Sequence, residues 1–348
     1  MFAKKLMTWY QENGRKLPWR GIENPYYIWL SEIILQQTRI EQGRGYYERF
    51  VSEYPTVVDL AKASEEKVLK SWQGLGYYSR ARNLHAAARY VAEELGGKFP
   101  NTYEGILSLK GVGKYTAAAI ASFAYRLPYP VIDGNVYRLV SRLYGIYTPI
   151  GTEQAYREFE QLLLHLIDRE RPDLFNQAIM DFGSIYCKPT GCDCQRCIFR
   201  QECVAFREGK VDVLPVRRQK VTVKTRYFYY IDIRWQEFML VKQREAGDIW
   251  QGLYELPLFE TESPVDSQLL KQTIGEVLQS WLGMAPTDLE VGPEMKHQLT
   301  HRTIKAQFLK ANYNRKPARI PEKMRIVRYE ELKSLPISRL IDRYLSKK

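Results

Sequence analysis

Two carboxylates in unusual company, a glycine-bent hairpin and a knot of cysteines are the parts of this chain with chemistry to offer. The run from Leu107 to Leu139, LSLKGVGKYTAAAIASFAYRLPYPVIDGNVYRL, joins the hairpin to one of the carboxylates. Gly111-Val112-Gly113 follows an apolar stretch and precedes Tyr115-Thr116 and an alanine run, so a short helix should turn sharply into a second. Both glycines admit positive φ, and the backbone N–H groups opening the second helix could then face a phosphate, with Lys114 as a nearby cation. Downstream, Pro128-Tyr129-Pro130 should stop the alanine helix and set Asp133 just ahead of the next one, in Asp133-Gly134-Asn135. On local grounds that aspartate is an ordinary N-cap. The other carboxylate, Glu32, is expected near the start of the apolar helix Trp29-Leu30-Ser31-Glu32-Ile33-Ile34-Leu35, just ahead of Gln36-Gln37. Burial would disfavour its charged form and make it a proton donor near neutral pH, whereas a first-turn acid would simply be favoured by the helix dipole.

Two further stretches could do chemistry. Trp72-Gln-Gly-Leu-Gly-Tyr-Tyr-Ser-Arg-Ala-Arg is a glycine-bent loop expected to expose Leu75, Tyr77 and Tyr78 beside Arg80 and Arg82, either as a wedge that unstacks a duplex or as a helix-to-helix turn. The five cysteines all fall between positions 187 and 203, which suits a metal in a reducing compartment better than a disulfide framework. Cys187-x6-Cys194-x2-Cys197-x5-Cys203, with Cys192 as an extra thiol, leaves zinc and a 4Fe-4S cubane both open. The single C-x-x-C pair suits the cubane somewhat better.

The elements that must position these residues change in kind along the chain. From Met1 to about Phe206 apolar residues recur at helical spacing, clearest in Glu65–Trp72, Ser79–Leu95, Thr116–Tyr125 and Glu153–Ile167, with no convincing strand pair. Phe206 to Arg226 carries seven Lys or Arg against two acids and reads as a basic, extended linker. Tyr227–Trp235 and the run from Phe238 read as strands around a short polar turn, and Val265–Leu282 as one amphipathic helix. The expected domains are 1–206, all-helical, then a linker over 207–225 and a smaller α+β domain over 226–348.

At 348 residues the chain can hold two cores, and a net charge of +12 points to a polyanionic partner, nucleic acid or an acidic membrane surface. The N-terminus lacks a signal-peptide core and no apolar run reaches the roughly 20 residues of a membrane span, so a soluble, intracellular protein is expected.

In combination these motifs resemble the helix-hairpin-helix DNA glycosylase superfamily and, within it, the adenine DNA glycosylases. Leu17-Pro18-Trp19-Arg20, Ser31-Glu32 with Gln36-Gln37-Thr38, Gly74-Leu75-Gly76-Tyr77-Tyr78, Gly111-Val112-Gly113 with Tyr115-Thr116, Asp133-Gly134-Asn135-Val136 and the cysteine spacing occur in that family's order. The resemblance implies a two-lobed all-α catalytic domain with an iron-sulfur loop over 187–203 and a Nudix-like C-terminal domain. It implies excision of adenine opposite 8-oxoguanine or guanine in double-stranded DNA by a monomer, cytoplasmic and nucleoid-associated in a bacterium. Glu32 would then protonate adenine and Asp133 face the sugar, with Tyr115 and Asn135 in support. Arg20 would touch the base pocket, and Gln37, Leu75 and Tyr77 would fill or read the gap left by the flipped base. Gly111, Gly113 and Lys114 would grip phosphate. Cys187, Cys194, Cys197 and Cys203 would hold a 4Fe-4S cluster, with Cys192 outside the ligand set.

The same resemblance weighs against an endonuclease III-like lyase, whose Schiff-base lysine falls where this chain has Tyr115. A non-catalytic iron-sulfur DNA binder would have no need of both Glu32 and Asp133. Gln251-Gly-Leu-Tyr-Glu-Leu-Pro matches the Nudix-like strand and turn. No Arg-Glu-x-x-Glu-Glu cluster follows between Glu260 and Leu282, so nucleotide hydrolysis is not expected. The lesion-reading tip, Phe-Ser-His in the family, reads Leu299-Thr300-His301 here.

Overall fold

Helical periodicity gives way to strand alternation near residue 224, and the structure, a computed structural model describing residues 1–218 and 224–346, follows that change. Helices α1 (Phe2–Asn13), α2 (Pro25–Leu35), α3 (Ile40–Glu53), α4 (Val57–Lys62), α5 (Glu65–Ser71) and α6 (Ser79–Glu93) come first. They are followed by α7 (Tyr103–Leu107), α8 (Lys114–Tyr125), α9 (Gly134–Tyr144), α10 (Glu153–Leu166), α11 (Pro172–Asp181) and the short α12 (Val204–Arg207). Contacts group the chain into two compact units, Met1–Lys62 with Asn83–Gln219, and Ala63–Arg82 with Lys220–Lys348.

In the first unit the alanine run makes α8 a thin rod, and Ala117 to Ala121 are all buried where it packs against α2, α7 and α11. Because α2 is apolar on every side it is an interior helix, and its Pro25 and the Asn24 side chain, which accepts from Tyr26 N at 3.0 Å, fix where it begins. That start places Glu32 in the second half of α2, where the dipole disfavours an anion; the expectation of a position near the helix start is corrected accordingly. The core continues through Leu6, Val136, Leu139, Phe159, Phe175 and Phe182.

The α7–α8 hairpin turns on one left-handed glycine. Gly111 has φ +81°, and a Cβ there would lie 2.6 Å from Asn83 Cβ. Gly113 differs from the expectation of positive φ: it is extended (φ −100°, ψ 177°) and serves as the N-cap of α8 with no side chain to occupy the first N–H groups.

The second unit is a mixed eight-stranded sheet whose described strands are β1 (Lys224–Trp235), β2 (Phe238–Gln243), β3 (Tyr254–Glu255), β4 (Leu258–Thr261), β5 (Asp288–Val291), β6 (Met295–Gln298), β7 (Arg302–Asn312) and β8 (Met324–Arg328). The central pair, β1 and β7, is parallel over its whole length, from Lys224 opposite Arg302 to Arg234 opposite Asn312. The run Tyr227-Phe-Tyr-Tyr-Ile-Asp-Ile reads as nearly continuous apolar sequence because both faces are covered. Tyr229, Ile231 and Ile233 pack with α13 (Ser267–Leu282), while Phe228 and Tyr230 pack with α14 (Arg339–Leu345). Residues Ala63–Arg82 belong to this unit through hydrogen bonds such as Tyr254 Oη to Glu66 (2.9 Å), Arg82 Nη1 to Gln251 O (2.8 Å) and Ile337 N to Gln73 Oε1 (3.3 Å). Of the expected extended linker, α12 runs on to Arg207, Arg217 forms a bridge with Ile150, and residues 219–223 lie outside the described residues.

Candidate active site and cysteine cavity

One cleft of about 400 Å³ in the first unit is lined by Glu32, Asp133, Tyr115, Asn135 and Arg20, together with Arg15. Four segments deliver them: the stretch between α1 and α2 brings Arg15 and Arg20, α2 brings Glu32, the first turn of α8 brings Tyr115, and the start of α9 brings Asp133 and Asn135. Glu32 is 8% exposed, and burial pushes its carboxyl up to about 7 against the pull of Tyr115's hydroxyl and Arg20's charge. A carboxylic acid held there is half-protonated near neutral pH, as a proton donor must be.

Asp133 is the N-cap of α9 and more than that. Its Oδ1 accepts from Asn135 N (2.8 Å) and Val136 N (2.7 Å), while its Oδ2 accepts from Asn135 Nδ2 at 2.7 Å. Desolvation raises its carboxyl above the ordinary value despite those donors. Behind it stands a side chain that sequence reasoning missed, the buried Arg138 one turn along α9. Its Nη2 donates to Asn135 Oδ1 (2.9 Å) and to Gly183 O (2.6 Å), and its Nε donates to Cys187 O (2.8 Å). Gly183 allows this closeness, since a Cβ there would meet Asn135 O at 2.7 Å.

Arg20 does not reach into the cleft as a free cation. Its Nη1 and Nη2 grip the two oxygens of Asp181 at 2.8 Å each, and Nη1 also donates to Tyr10 Oη at 2.7 Å. Asp181 is fully buried, and Arg15 donates to it through its backbone N (3.0 Å), Nε (2.9 Å) and Nη2. Burial pushes the Asp181 carboxyl up, but the Arg20 and Arg15 hydrogen bonds outweigh it and hold the group below its ordinary value. The signal that singled out Glu32, an acid inside an apolar helical run, was present in Ala178-Ile-Met-Asp181-Phe as well.

The other expected contact residues fall in distinct settings. Gln37 lies just past the end of α2 with φ +54°, and Tyr77 has φ +46°; few side-chain-bearing residues hold such backbone, and it commonly marks function. Tyr77 is 44% exposed, whereas Leu75 is only 8% exposed and Tyr78 is buried too, so the loop bent at Gly74 and Gly76 presents one side chain instead of three. Lys114 is engaged within the protein: its Nζ donates to Glu153 at 2.9 Å and lies 4.3 Å from the Tyr156 ring centroid. Leu299, Thr300 and His301 form the turn of the β6–β7 hairpin, with Leu299 N bonded to Arg302 O at 2.8 Å. Leu299 packs on the sheet's core, Thr300 and His301 are exposed, and the Thr300 hydroxyl is hydrogen-bonded to the Tyr77 hydroxyl.

All five cysteines line one cavity in the first unit, walled by Leu139, Leu143, Phe182 and Phe199. A π-helical turn, Phe182–Tyr186, delivers Cys187 to it, and Phe199 N donates to Cys197 Sγ at 3.4 Å. Arg142, 3% exposed, donates to Lys188 O (2.7 Å) and Pro189 O (3.0 Å) and reaches Cys187 Sγ at 3.5 Å. Among the described residues no three Cys, His, Asp or Glu groups converge as closely as a single ion requires. Five cysteine sulfurs around a shared space, with N–H donors to sulfur from Arg142 and Phe199, are a donor set that fits an iron-sulfur group. Among the described residues no helix is long and apolar enough to cross a membrane.

Known proteins agree with this architecture. Residues 30–164 match the HhH-GPD superfamily base excision DNA repair protein family, and residues 229–347 match the NUDIX domain. An adenine DNA glycosylase of Buchnera aphidicola subsp. Schizaphis graminum is 33% identical over 279 residues, 79% of each chain. That of Mus musculus is 40% identical over 228 residues, 62% of this chain and 44% of the mouse protein. Among solved structures, a thermostable thymine-DNA glycosylase superposes with TM-score 0.56 at 28% identity, over 60% of this chain and 95% of that one. A non-covalent endonuclease III–DNA complex superposes with TM-score 0.52 at 20% identity, over 60% and 94%, which is a likeness of fold. The chain therefore belongs to the adenine DNA glycosylase family, DNA-binding N-glycosylases of base excision repair built from a helix-hairpin-helix catalytic domain and a Nudix domain.

Proposed function

We propose that the chain excises adenine opposite 8-oxoguanine or guanine in double-stranded DNA, as a monomer in the cytoplasm of a bacterium, and leaves the resulting abasic strand intact. The observation that carries this reading is Glu32, a buried carboxyl poised near neutrality in the same cleft as Asp133. Glu32 delivers its proton to adenine N7, the C1′–N9 bond breaks with its electron pair going to the base, and a cationic sugar remains. Asp133, fixed by Asn135 and Val136, faces that sugar and stabilises its charge, and water adds at C1′ as in glycoside hydrolysis. Tyr115 supports the cation from α8, and Arg20, locked on Asp181, lines the base pocket.

The hairpin of Gly111 and Gly113 offers uncapped N–H groups to a phosphate. Lys114 pairs with Glu153 beside the hairpin, and Tyr115, standing where a lyase carries its lysine, supports base removal without a lyase step. Gln37 and Tyr77 are the contacts for the gap left by the flipped base, with Leu75 as packing beneath Tyr77's loop, and Thr300 and His301 read the opposite base from the platform of Leu299. Functionally, 1–206 carries catalysis, 207–225 links, and 226–348 reads the lesion. Cys187, Cys194, Cys197 and Cys203 hold a 4Fe-4S cluster, which when bound fixes the 187–203 loop.

The test is single-turnover adenine release from a duplex with A opposite 8-oxoguanine, by the intact chain and by Glu32→Gln. Loss of release in the variant is expected, and unchanged release would remove Glu32 from the reaction. A high-yield borohydride-trapped adduct would overturn the monofunctional reading.

A further inference from the structure

The four-cysteine spacing leaves one thiol over, and that thiol is not set apart from the others. Cys192 lines the same cavity as Cys187, Cys194, Cys197 and Cys203. Its Sγ lies 3.6 Å from Cys194 Sγ. A metal–thiolate bond is about 2.3 Å, so two sulfurs closer than about 4.6 Å can bind the same metal atom in turn without moving their backbone far. A second feature marks the position independently: the buried Arg142 guanidinium reaches Cys192 Sγ at 3.7 Å with the same Nη1 that reaches Cys187 Sγ at 3.5 Å. Arg142 is held there by Leu214 O (3.0 Å), Lys188 O and Pro189 O, so its reach to Cys192 is built into the loop.

We propose that Cys192 is an alternate ligand of the iron-sulfur site, able to take the coordination position of Cys194. Either sulfur would hold the same position of the group: with Cys192 as ligand the Cys194 sulfur would be released, and the proton of the Cys192 thiol would pass to it. No electron changes hands. The consequence is a site that survives loss of one of its ligands. The inference rests on the iron-sulfur reading of the cavity, and the two can fail separately.

Iron, zinc and acid-labile sulfide are measured per chain, with absorbance near 400 nm, in the unaltered chain and in Cys194→Ser, Cys192→Ser, Cys203→Ser and the Cys192→Ser/Cys194→Ser double variant. Zinc without sulfide in the unaltered protein would overturn the iron-sulfur reading itself. With iron and sulfide present there, the expected result is that Cys194→Ser keeps at least half of the iron. Cys203→Ser and the double variant should fall by about tenfold. Equal losses in Cys194→Ser and the double variant would overturn the exchange. Should Cys194→Ser fail to fold, chelator-driven iron release from Cys192→Ser decides: release several-fold faster than from the unaltered protein supports recapture by Cys192, and equal rates refute it.

Discussion

The cleft of the first unit and the β6–β7 tip of the second are built on opposite terms. In and behind the cleft several polar groups are held by more than one partner: Asp133 accepts three hydrogen bonds, Asn135 is held by Arg138, and Asp181 is held by Arg15 and Arg20. At the tip Thr300 and His301 stand exposed, and the link to Tyr77 is a single contact between hydroxyls. Bond breaking needs charges fixed before the transition state arrives, because reorganising them then would add to the barrier. The proposed reading of the opposite base asks less of the tip, where an exposed surface can adapt to the duplex.

The comparison breaks most readily at its rigid end. Asp133→Asn retains an N-cap residue, so the melting temperature should shift by no more than a few degrees, while adenine release should fall by about 10²–10³-fold. A rate loss matched by comparable unfolding would mean that Asp133 serves only as a cap. For Glu32, whose carboxyl burial pushes up to about 7, the proposed role of proton donor makes the protonated form the active one. Release should plateau below pH 7 and fall about tenfold per pH unit above it, and Glu32→Gln should lose that limb along with about 10²–10⁴-fold in rate. Its stability should move the other way. A carboxyl raised in the folded state stabilises fully below about 4.5 and loses that contribution as pH rises through about 7, so Glu32→Gln should gain on the parent across that window in thermal melts.

Next in size is Asp181→Asn, which removes the charge between two arginines in a buried setting. Destabilisation of about 3 kcal/mol is expected at pH 7 by chemical denaturation. Since the folded carboxyl is depressed, the difference between parent and variant should shrink as pH falls below the ordinary carboxylate range. The smallest effects belong to the tip. Thr300→Ala should cost about threefold to tenfold, corresponding to roughly 1 kcal/mol for one hydrogen bond, on A opposite 8-oxoguanine and less on A opposite guanine. Equal losses on both duplexes would rule out a contact specific to the lesion. Tyr77→Phe, which deletes the partner hydroxyl but keeps the ring, should reproduce part of the Thr300→Ala loss, and the two changes should be less than additive.

Much of this site was legible in residue types. Glu32 stood out as an acid among Ile and Leu, Asp133 as a cap after a proline stop, and the cysteines by their crowding. Less legible was the depth at which each would sit. Leu75 and Tyr77 are two positions apart in the same glycine-bent loop, yet one is buried and the other exposed. The loop's φ values at Gly74, Gly76 and Tyr77 decide that, and local sequence permits several such paths. Lys114 likewise read as a free cation because Glu153 and Tyr156, its partners, lie some forty residues along the chain.

What the chain determines by itself is periodicity and local stops. Helix after helix begins and ends within a residue or two of its apolar repeat, as Glu65–Ser71 and Glu153–Leu166 do, because an amphipathic stripe and its caps are properties of neighbours in sequence. Tertiary structure alone decided which distant groups meet: Arg138 between Asn135 and Cys187, Asp181 between Arg15 and Arg20, and residues 63–82 with the sheet far downstream. Hydrogen bonds between buried charges depend on three-dimensional distance and desolvation, and no spacing along the chain encodes either.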